Sequence, residues 1–249
     1  MPFRSATRSR GLYNPDSETP FKLSRSKLEL FTNCPRCFYF DRRLGVGRPQ
    51  IPAFTLNSAV DTLLKKEFDI HRARGQAHPL MTEYKVNAVP FVHEDLDKWR
   101  QNFVGVQYLH EPTNFIITGA VDDVWRSDNG ELFVVDYKAT STLREISLED
   151  EYKQGYKRQL EIYQWLLRKN GFDVSDTGYF VYVNGKTDRK AFDGKLDFDI
   201  QLISYKGDSR WVEKTILDAW NCLQGDKIPN KTETCEYCGY VEAMSKELK

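Results

Sequence analysis

The stretch GELFVVDYKAT, Gly130 to Thr140, places two charged residues inside a run that is otherwise typical of a buried β-strand. Asp136 and Lys138 are two positions apart, so on a strand their side chains share one face with Val134. A cross-strand ion pair on a solvated face is the simplest interpretation, because unpaired buried charges are costly. The continuous apolar run LFVV instead indicates a strand that is covered on both faces. Charges at the end of such a strand suggest a functional site.

The segment before this strand, NFIITGAVDDVWR, is predicted to be a second strand, joined to it by the turn signal SDNG. A three-residue loop with Gly130 in the left-handed conformation would place Asp122 opposite Asp136. A two-residue Asn-Gly turn would pair Asp136 with Asp123 instead. In both registers, two carboxylates meet beside one lysine.

Opposed carboxylates repel each other unless a cation lies between them. Oxygen ligands of this kind suit a hard divalent ion such as Mg²⁺ or Mn²⁺. Lys138 beside that ion would hold a water molecule or a phosphate oxygen and stabilise developing negative charge. The pattern therefore favours metal-assisted hydrolysis of a phosphodiester bond.

The pair GAVDDVW and VVDYKAT resembles the paired motifs of the PD-(D/E)XK nuclease superfamily, specifically its RecB-like branch. The resemblance implies a restriction-endonuclease-like core and a metal-dependent nuclease. It implies that Asp122, Asp136 and the backbone carbonyl of Tyr137 bind the metal and that Lys138 is the catalytic lysine.

Two further positions are interpreted through the same resemblance. Gln159 and Tyr163, in RQLEIYQWLL, share one helical face, which an ordinary amphipathic helix would also show. The RecB-like branch has a similar Gln-x-x-x-Tyr motif beside its active site, which implies a catalytic role for both residues. That branch also has a metal-binding histidine on an early helix, where FTLNSAVDTLL has Asp61. Asp61 is predicted to replace it as an oxygen ligand, the alternative being an exposed helical aspartate.

The order of predicted elements is helices, hairpin, long helix, strands and helix, which indicates an α/β fold with a mixed central sheet flanked by helices. Helices are expected over residues 24–43, with an interruption at Pro35, over 55–74 and over 150–169. Residues 1–22 are interpreted as an arm or linker and 23–249 as a single nuclease-like domain.

The chain has five cysteines, and four of them form the pairs CPRC (Cys34, Cys37) and CEYC (Cys235, Cys238). Their spacing predicts that the two ends of the chain share a Zn²⁺ ion or an iron–sulfur cluster. Some RecB-like nucleases, including CRISPR-associated and AddB-like enzymes, close the domain with a [4Fe–4S] cluster on one N-terminal and three C-terminal cysteines. Here the third C-terminal cysteine is missing and Cys37 would substitute, so zinc and iron both remain open.

The net charge is zero, but residues 1–50 carry ten basic and four acidic residues. This surplus is compatible with a face for a polyanion, but charge alone favours a solvated, mobile N-terminus. The first twenty residues show no apolar signal sequence and no run has membrane-spanning length, so a cytoplasmic protein without membrane contact is expected.

The predicted substrate is DNA, as single strands or ends, with Arg42 and Arg43 as backbone contacts and Tyr156 as a surface for base stacking. The segment NGKTDRK lacks the first glycine of a P-loop, so any unwinding would need a partner such as a helicase or another repair or CRISPR protein. The missing histidine motivates an alternative, a non-catalytic nucleic-acid-binding or adaptor module with the same fold. A third hypothesis is an interaction protein whose chain ends are held together by a metal and in which the D…DxK pattern is a coincidence.

Overall fold

The computed structural model describes residues 7–49, 52, 54–150 and 153–248. Residues 1–6 of the predicted arm therefore lie outside the described residues. The chain divides into two compact units, each built from separate stretches of sequence. The first unit comprises Met1–Pro52, Tyr108–Thr118 and Arg210–Lys249, and the second comprises Ala53–Gln107 and Gly119–Ser209.

The chain contains both helices and strands, as expected for an α/β protein. The helices are α1 (Arg25–Asn33), α2 (Pro35–Arg42), α3 (Thr55–Arg74), α4 (Pro79–Glu83), α5 (Leu96–Trp99), α6 (Gln154–Lys169), α7 (Arg210–Gln224) and α8 (Glu236–Glu247), with a short 3₁₀ turn at Glu111–Thr113. The strands are β1 (Phe21–Ser24), β2 (Ala88–Pro90), β3 (Val106–His110), β4 (Phe115–Gly119), β5 (Asp123–Ser127), β6 (Leu132–Thr140), β7 (Thr177–Gly185) and β8 (Phe198–Lys206). No helix among these residues is long and apolar enough to cross a membrane.

The first unit contains the predicted helical region 24–43, which is interrupted as expected. Cys34 has extended backbone angles, φ −165° and ψ 106°, and Pro35 begins α2 at a position where its missing N–H is no loss. Helix α7 packs against both α1 and α2. Strand β1 pairs in parallel with β4, from Phe21 opposite Phe115 onward, in a sheet of order β1-β4-β3.

The second unit is built on a five-stranded sheet of order β2-β5-β6-β7-β8, with β6 at its centre. Strands β6 and β7 are parallel, and α6 connects them. The other pairs in this sheet are antiparallel. A parallel pair needs a crossover of this length, and the helix covers one face of the sheet. The predicted mixed α/β fold with helices on a central sheet is confirmed.

The two faces of the central sheet pack against different helices. The face with Tyr137 belongs to the apolar core that α3 covers; its buried residues are Leu64, Phe68, Leu80, Met81, Ala88, Trp125, Val135, Tyr137, Val181, Val183 and Leu202. On the other face, a Cβ at Gly178 would lie 2.7 Å from Leu160 of α6. Because side chains alternate along a strand, Asp136 and Lys138 point toward α6.

The prediction of one continuous strand through NFIITGAVDDVWR is wrong, because the segment contributes to two sheets. Strand β4 ends at Gly119, and β5 begins at Asp123 in the central sheet. Between them the N–H of Val121 donates to the carbonyl of Trp99 at 3.1 Å, so the chain leaves the ladder. The helix expected from residue 150 begins at Gln154, and residues 151 and 152 lie outside the described part of the chain.

Candidate active site and cysteine cluster

The register of the β5–β6 hairpin is the one that a three-residue loop produces. Asp123 pairs with Val135, and the N–H of Ser127 donates to the carbonyl of Glu131 at 2.9 Å. Gly130 has a φ of +93°, which an L-residue rarely adopts. The alternative two-residue turn, which would have paired Asp123 with Asp136, is excluded.

Asp122 lies just before β5, beside the backbone of β6. Its Oδ2 accepts a hydrogen bond from the N–H of Tyr137 at 3.0 Å. The Arg100 guanidinium donates to the Asp122 carbonyl at 3.1 Å, so both the backbone and the side chain of this residue are held. These contacts place the Asp122 carboxylate next to the backbone that follows Asp136.

Asp136 is fully buried on the central strand and is surrounded by donors. Its Oδ1 accepts from Gln159 Nε2 at 2.7 Å, and its Oδ2 pairs with the Lys138 ammonium. Burial by itself lowers the pKa of Lys138, but the Asp136 and Asp122 carboxylates outweigh burial and raise that pKa above its usual value. Lys138 is therefore a charged lysine at neutral pH.

Gln159 and Tyr163 extend this hydrogen-bonded chain along one face of α6. Gln159 Nε2 also donates to the Tyr163 hydroxyl, at 3.1 Å. The ring of Tyr163 lies directly over Gly119, where a Cβ would be only 2.6 Å from Cε1. The ring of Tyr156 lies 4.6 Å from the Lys138 Nζ, which is a cation–π contact. Tyr156, expected as a base-stacking surface, thus already packs against the lysine.

Lys65 on α3 is a residue that sequence reasoning missed. Its Nζ lies 2.8 Å from Asp61 Oδ2 and 3.2 Å from Asp122 Oδ1, so it bridges the two carboxylates. Burial and the neighbouring Asp122 raise the pKa of Asp61. The i, i+4 spacing of Asp61 and Lys65 was a usable signal for this pair, since such residues are neighbours on a helix.

Asp123, the second acid of the GAVDD motif, serves a different network on the other face of the sheet. It is fully buried, pairs with Arg72, and accepts from Arg100 at 3.1 Å and from the Tyr137 hydroxyl at 2.8 Å. Arg100 also binds Asp69 through one nitrogen, at 2.9 and 2.8 Å. Asp123 therefore helps to position Arg100, which holds the backbone of Asp122.

The donor set of Asp61, Asp122 and Asp136 fits a hard divalent ion. Three carboxylates and two lysines carry a formal charge of −3 + 2 = −1, so a divalent cation would be attracted to the site. Among the described residues, the four cysteines form the one group of three or more potential ligands whose ligand atoms all lie within 4.8 Å of each other. The oxygen atoms of Asp61, Asp122 and Asp136 are therefore farther apart than this. The roles predicted for these acids and for the Tyr137 carbonyl stay predictions.

The four paired cysteines form a buried cluster in the first unit, as their spacing predicted. Cys37 Sγ lies 3.6 Å from the Sγ atoms of both Cys235 and Cys238, and Cys34 Sγ lies 3.9 Å from that of Cys238. These are not disulfide distances. Burial alone would raise the pKa of Cys34, but hydrogen bonds led by those from the backbone of Cys37 and Thr232 lower it to about 6. A thiolate is the form that binds a metal.

An arginine completes the surroundings of the cluster. Arg48 donates to Cys235 Sγ at 3.6 Å, and its guanidinium lies 4.4 Å from the centre of the Tyr237 ring. Burial raises the pKa of Cys37 and of Cys238, so these thiols hold their protons in the absence of metal. The positive charge of Arg48 would offset the mutual repulsion of the thiolates once a metal binds. The cluster thus has the burial, the spacing and the charge balance of a structural metal site.

A family model described as the PD-(D/E)XK nuclease superfamily matches residues 55–243. A search of curated proteins found no match. Among solved structures, one titled "Crystal structure of SSO0001" is similar at 19% sequence identity, with 91% of this chain and 86% of that chain covered and a TM-score of 0.45.

Proposed function

Since this chain belongs to the PD-(D/E)XK nuclease superfamily, we propose that it is a metal-dependent nuclease that hydrolyses phosphodiester bonds in DNA. The observation that carries the proposal is the environment of Asp136. This carboxylate is fully buried on the central strand, between the Lys138 ammonium and the Gln159 amide. A chain of buried polar groups is costly to build, and functional sites are where such groups gather.

The divalent ion would be held by Asp122 and Asp136, together with Asp61 and the carbonyl of Tyr137. When bound, Mg²⁺ or Mn²⁺ supplies a Lewis acid that generates a nucleophilic water and neutralises phosphate charge. Lys138 keeps its proton at neutral pH, so it offers positive charge where the attacked phosphate accumulates negative charge.

The remaining residues of the site position the reacting groups. Gln159 holds Asp136 Oδ1 and, through its second N–H, the hydroxyl of Tyr163. Tyr156 lies against Lys138 and restricts where its ammonium group can point. Fixed side chains lower the reorganisation that accompanies the reaction, which is how preorganised sites accelerate it.

The preference for single strands or ends is a finer proposal that rests on aromatic residues such as Tyr156, whose ring could stack against a base. Arg42 and Arg43 support it weakly, because the first pairs with Asp41 and the second with Asp226. A helicase or another repair or CRISPR protein as partner, and a cytoplasmic location, stay predictions from the sequence.

The nuclease proposal is tested by incubating the full chain with Mg²⁺ or Mn²⁺ and with linear single-stranded, linear duplex and closed circular DNA. We expect cleavage by the native protein, and a loss of at least about a hundredfold for Asp136→Asn and Lys138→Met. Lys214→Met is the control, because it removes the same charge from an exposed pair on α7. Cleavage of linear but not circular DNA would support action at ends.

The same assay decides between the nuclease and the adaptor module. Binding of DNA by the native protein without cleavage under any metal would overturn the nuclease proposal and favour the adaptor. Equal cleavage by the native protein and by both site variants would assign the activity to a contaminant. Binding that weakens steeply with salt would show that phosphate contacts dominate the affinity.

We infer that the four cysteines hold zinc rather than a [4Fe–4S] cluster. A tetrahedral zinc ion with bonds of about 2.3 Å sets its sulfur atoms about 3.8 Å apart. The three Sγ separations of 3.6, 3.6 and 3.9 Å match that spacing. In a cluster each cysteine binds a different iron, which holds the sulfurs farther apart.

Metal analysis and the visible spectrum of anaerobically purified protein test this inference. One zinc per chain and no absorption in the visible range are expected. Four irons per chain with a broad brown absorption would overturn the zinc assignment. Either metal would leave the structural role of the cluster unchanged.

A further inference from the structure

Lys65 lies where a cation shared by two carboxylates of the site would lie. Its Nζ is within 3.2 Å of both Asp61 Oδ2 and Asp122 Oδ1. The lysine side chain is 20% exposed, and the carboxyl side chains are 33% and 21% exposed, so all three are partly shielded from water. An ion pair in such a position is screened less than one on the open surface.

The contacts of Asp122 show what this arrangement does to a metal ligand. One oxygen of Asp122 is used by Lys65 and the other by the N–H of Tyr137. A divalent ion that binds Asp122 must therefore share the carboxylate with a fixed positive charge, or displace that charge. Like charges a few ångströms apart repel strongly in such surroundings.

We infer that Lys65 acts as an internal cation that competes with the divalent ion for Asp61 and Asp122 and so weakens metal binding. The inference rests on the proposed function, because it concerns the same metal site. Lys65 is a positioning residue, not a catalytic one. In the absence of the metal it offsets part of the negative charge of the two acids and holds both carboxylates through its ion pairs. It thereby sets the concentration of divalent ion at which the site fills.

The surroundings of Asp136 differ from those of Asp122 and indicate that Lys138 and Lys65 have different roles. Lys138 lies on the same strand as its partner Asp136, and Tyr156 packs against it. Lys65 instead comes from α3 and reaches across to Asp122. Removing Lys65 would leave two carboxylates with no lysine between them, which is an arrangement that a divalent ion can satisfy.

The test compares Mn²⁺ binding, measured by calorimetry, in the native full chain and in Lys65→Met. The substitution keeps the length of the side chain and removes its charge. We expect Lys65→Met to bind Mn²⁺ about tenfold more tightly or better. Lys66→Met is the matched control, because this neighbour is exposed on the same helix, and its affinity should stay within about twofold of the native value. Lys65→Arg, which retains the charge, should resemble the native protein.

Thermal unfolding separates competition from a merely structural role. Without added divalent ion, Lys65→Met should unfold at a lower temperature than the native chain, and Mn²⁺ should restore most of the difference. A structural role alone would lower the midpoint equally with and without Mn²⁺, and that result would overturn the inference. Unchanged or weaker Mn²⁺ binding in Lys65→Met would overturn it as well.

The outcomes for this inference and for the nuclease proposal are distinguishable. Native cleavage of DNA together with unchanged Mn²⁺ affinity in Lys65→Met refutes the competition and leaves the nuclease in place. The opposite outcome combines two results: Lys65→Met binds Mn²⁺ more tightly and loses this gain when Asp122→Asn is added, while the native chain does not cleave DNA. These results would support the competition and refute the nuclease proposal. Absence of Mn²⁺ binding in every variant refutes both.

Discussion

Gly119 faces the ring of Tyr163 so closely that a Cβ at residue 119 would lie 2.6 Å from Cε1 and 2.8 Å from Cδ1 of the tyrosine. The glycine of the GAVDD motif is therefore required by a side chain that comes much later in the sequence. Tyr163 is nearly fully buried and cannot move without disturbing Gln159, whose amide donates to its hydroxyl.

The first prediction follows from this contact. Gly119→Ala should destabilise the protein by about 1–3 kcal/mol through overpacking and should also reduce nuclease activity, because the displaced Tyr163 shifts Gln159 away from Asp136. Denaturant unfolding and the cleavage assay measure the two effects. Gly225→Ala is the control, since a Cβ there meets nothing within 4 Å. Native activity and stability in Gly119→Ala would contradict the positioning argument.

The second prediction separates the two adjacent acids of the motif. Asp122→Asn should abolish metal binding and cleavage at little cost in stability. Asp123→Asn should cost about 3–5 kcal/mol, because it leaves Arg72 and Arg100 buried with too little negative charge. Chemical unfolding of both variants measures the two changes in the free energy of unfolding. Asp128→Asn, at the exposed hairpin tip, provides the reference for loss of one carboxylate.

The third prediction concerns removal of the metal from the cysteines. Chelation should lower the midpoint of thermal unfolding by about 10 °C or more and should make four additional thiols reactive toward a thiol reagent. Burial raises the pKa of Cys222 to about 11, so this remaining thiol should react slowly near neutral pH in both states. Cys222→Ser should leave the increase of four thiols intact. Cys235→Ser should prevent metal loading, and full loading of that variant would refute the assignment.

The fourth prediction uses a buried carboxylate in the first unit. Asp41 pairs with Lys27 at 2.7 Å, with Arg42 at 2.8 Å and with Arg8 at 3.0 Å. Burial would raise the pKa of Asp41, but the hydrogen bond from Lys27 and the charge of Arg42 outweigh it and lower that pKa below the usual value. A lowered folded-state pKa adds stability above the unfolded-state pKa of about 4, and this stability is lost as the pH falls through the folded-state pKa.

The measurement is the free energy of unfolding in urea from pH 3 to pH 7, for the native chain and for Asp41→Asn. The variant should be less stable by about 3–5 kcal/mol near pH 6, because three cations lose their buried partner. The difference between the two proteins should shrink below about pH 4. Asp218→Asn, in an exposed pair with Lys214, should show no such dependence. A constant difference across the whole range would show that the pKa of Asp41 is the same in the folded and unfolded states, and this would contradict the prediction.

Local patterns sufficed for part of the fold and of the site. The period of two in the segment around Asp136 and the turn residue Gly130 predicted the strand and the hairpin, since each depends on neighbours in the sequence. The local pattern left two registers open, and the resemblance of the motifs agreed with the one that the structure shows. The spacing of Gln159 and Tyr163 predicted a shared helical face in the same way. The structure adds that Gln159 touches both Asp136 and Tyr163.

Other features depend on contacts between distant residues and could not be predicted from local patterns. The chain leaves β4 and enters β5 at a point where the N–H of Val121 donates to the backbone carbonyl of Trp99. The parallel pairing of β1 with β4 joins residues more than ninety positions apart, as with Phe21 and Phe115. The bridge from Lys65 to Asp122 likewise requires the packing of α3 on the sheet.

The discontinuity of the first unit limits how the protein can be shortened. The family match begins at residue 55, after β1, α1 and α2. A fragment trimmed to residues 55–243 would leave Cys235 and Cys238 without Cys34 and Cys37, and it would expose the edge of β4 that β1 covers. Unpaired strand edges and orphaned thiols promote aggregation. If such a fragment is insoluble, the cause would be the loss of the residues before position 55. The insolubility would give no information about catalysis.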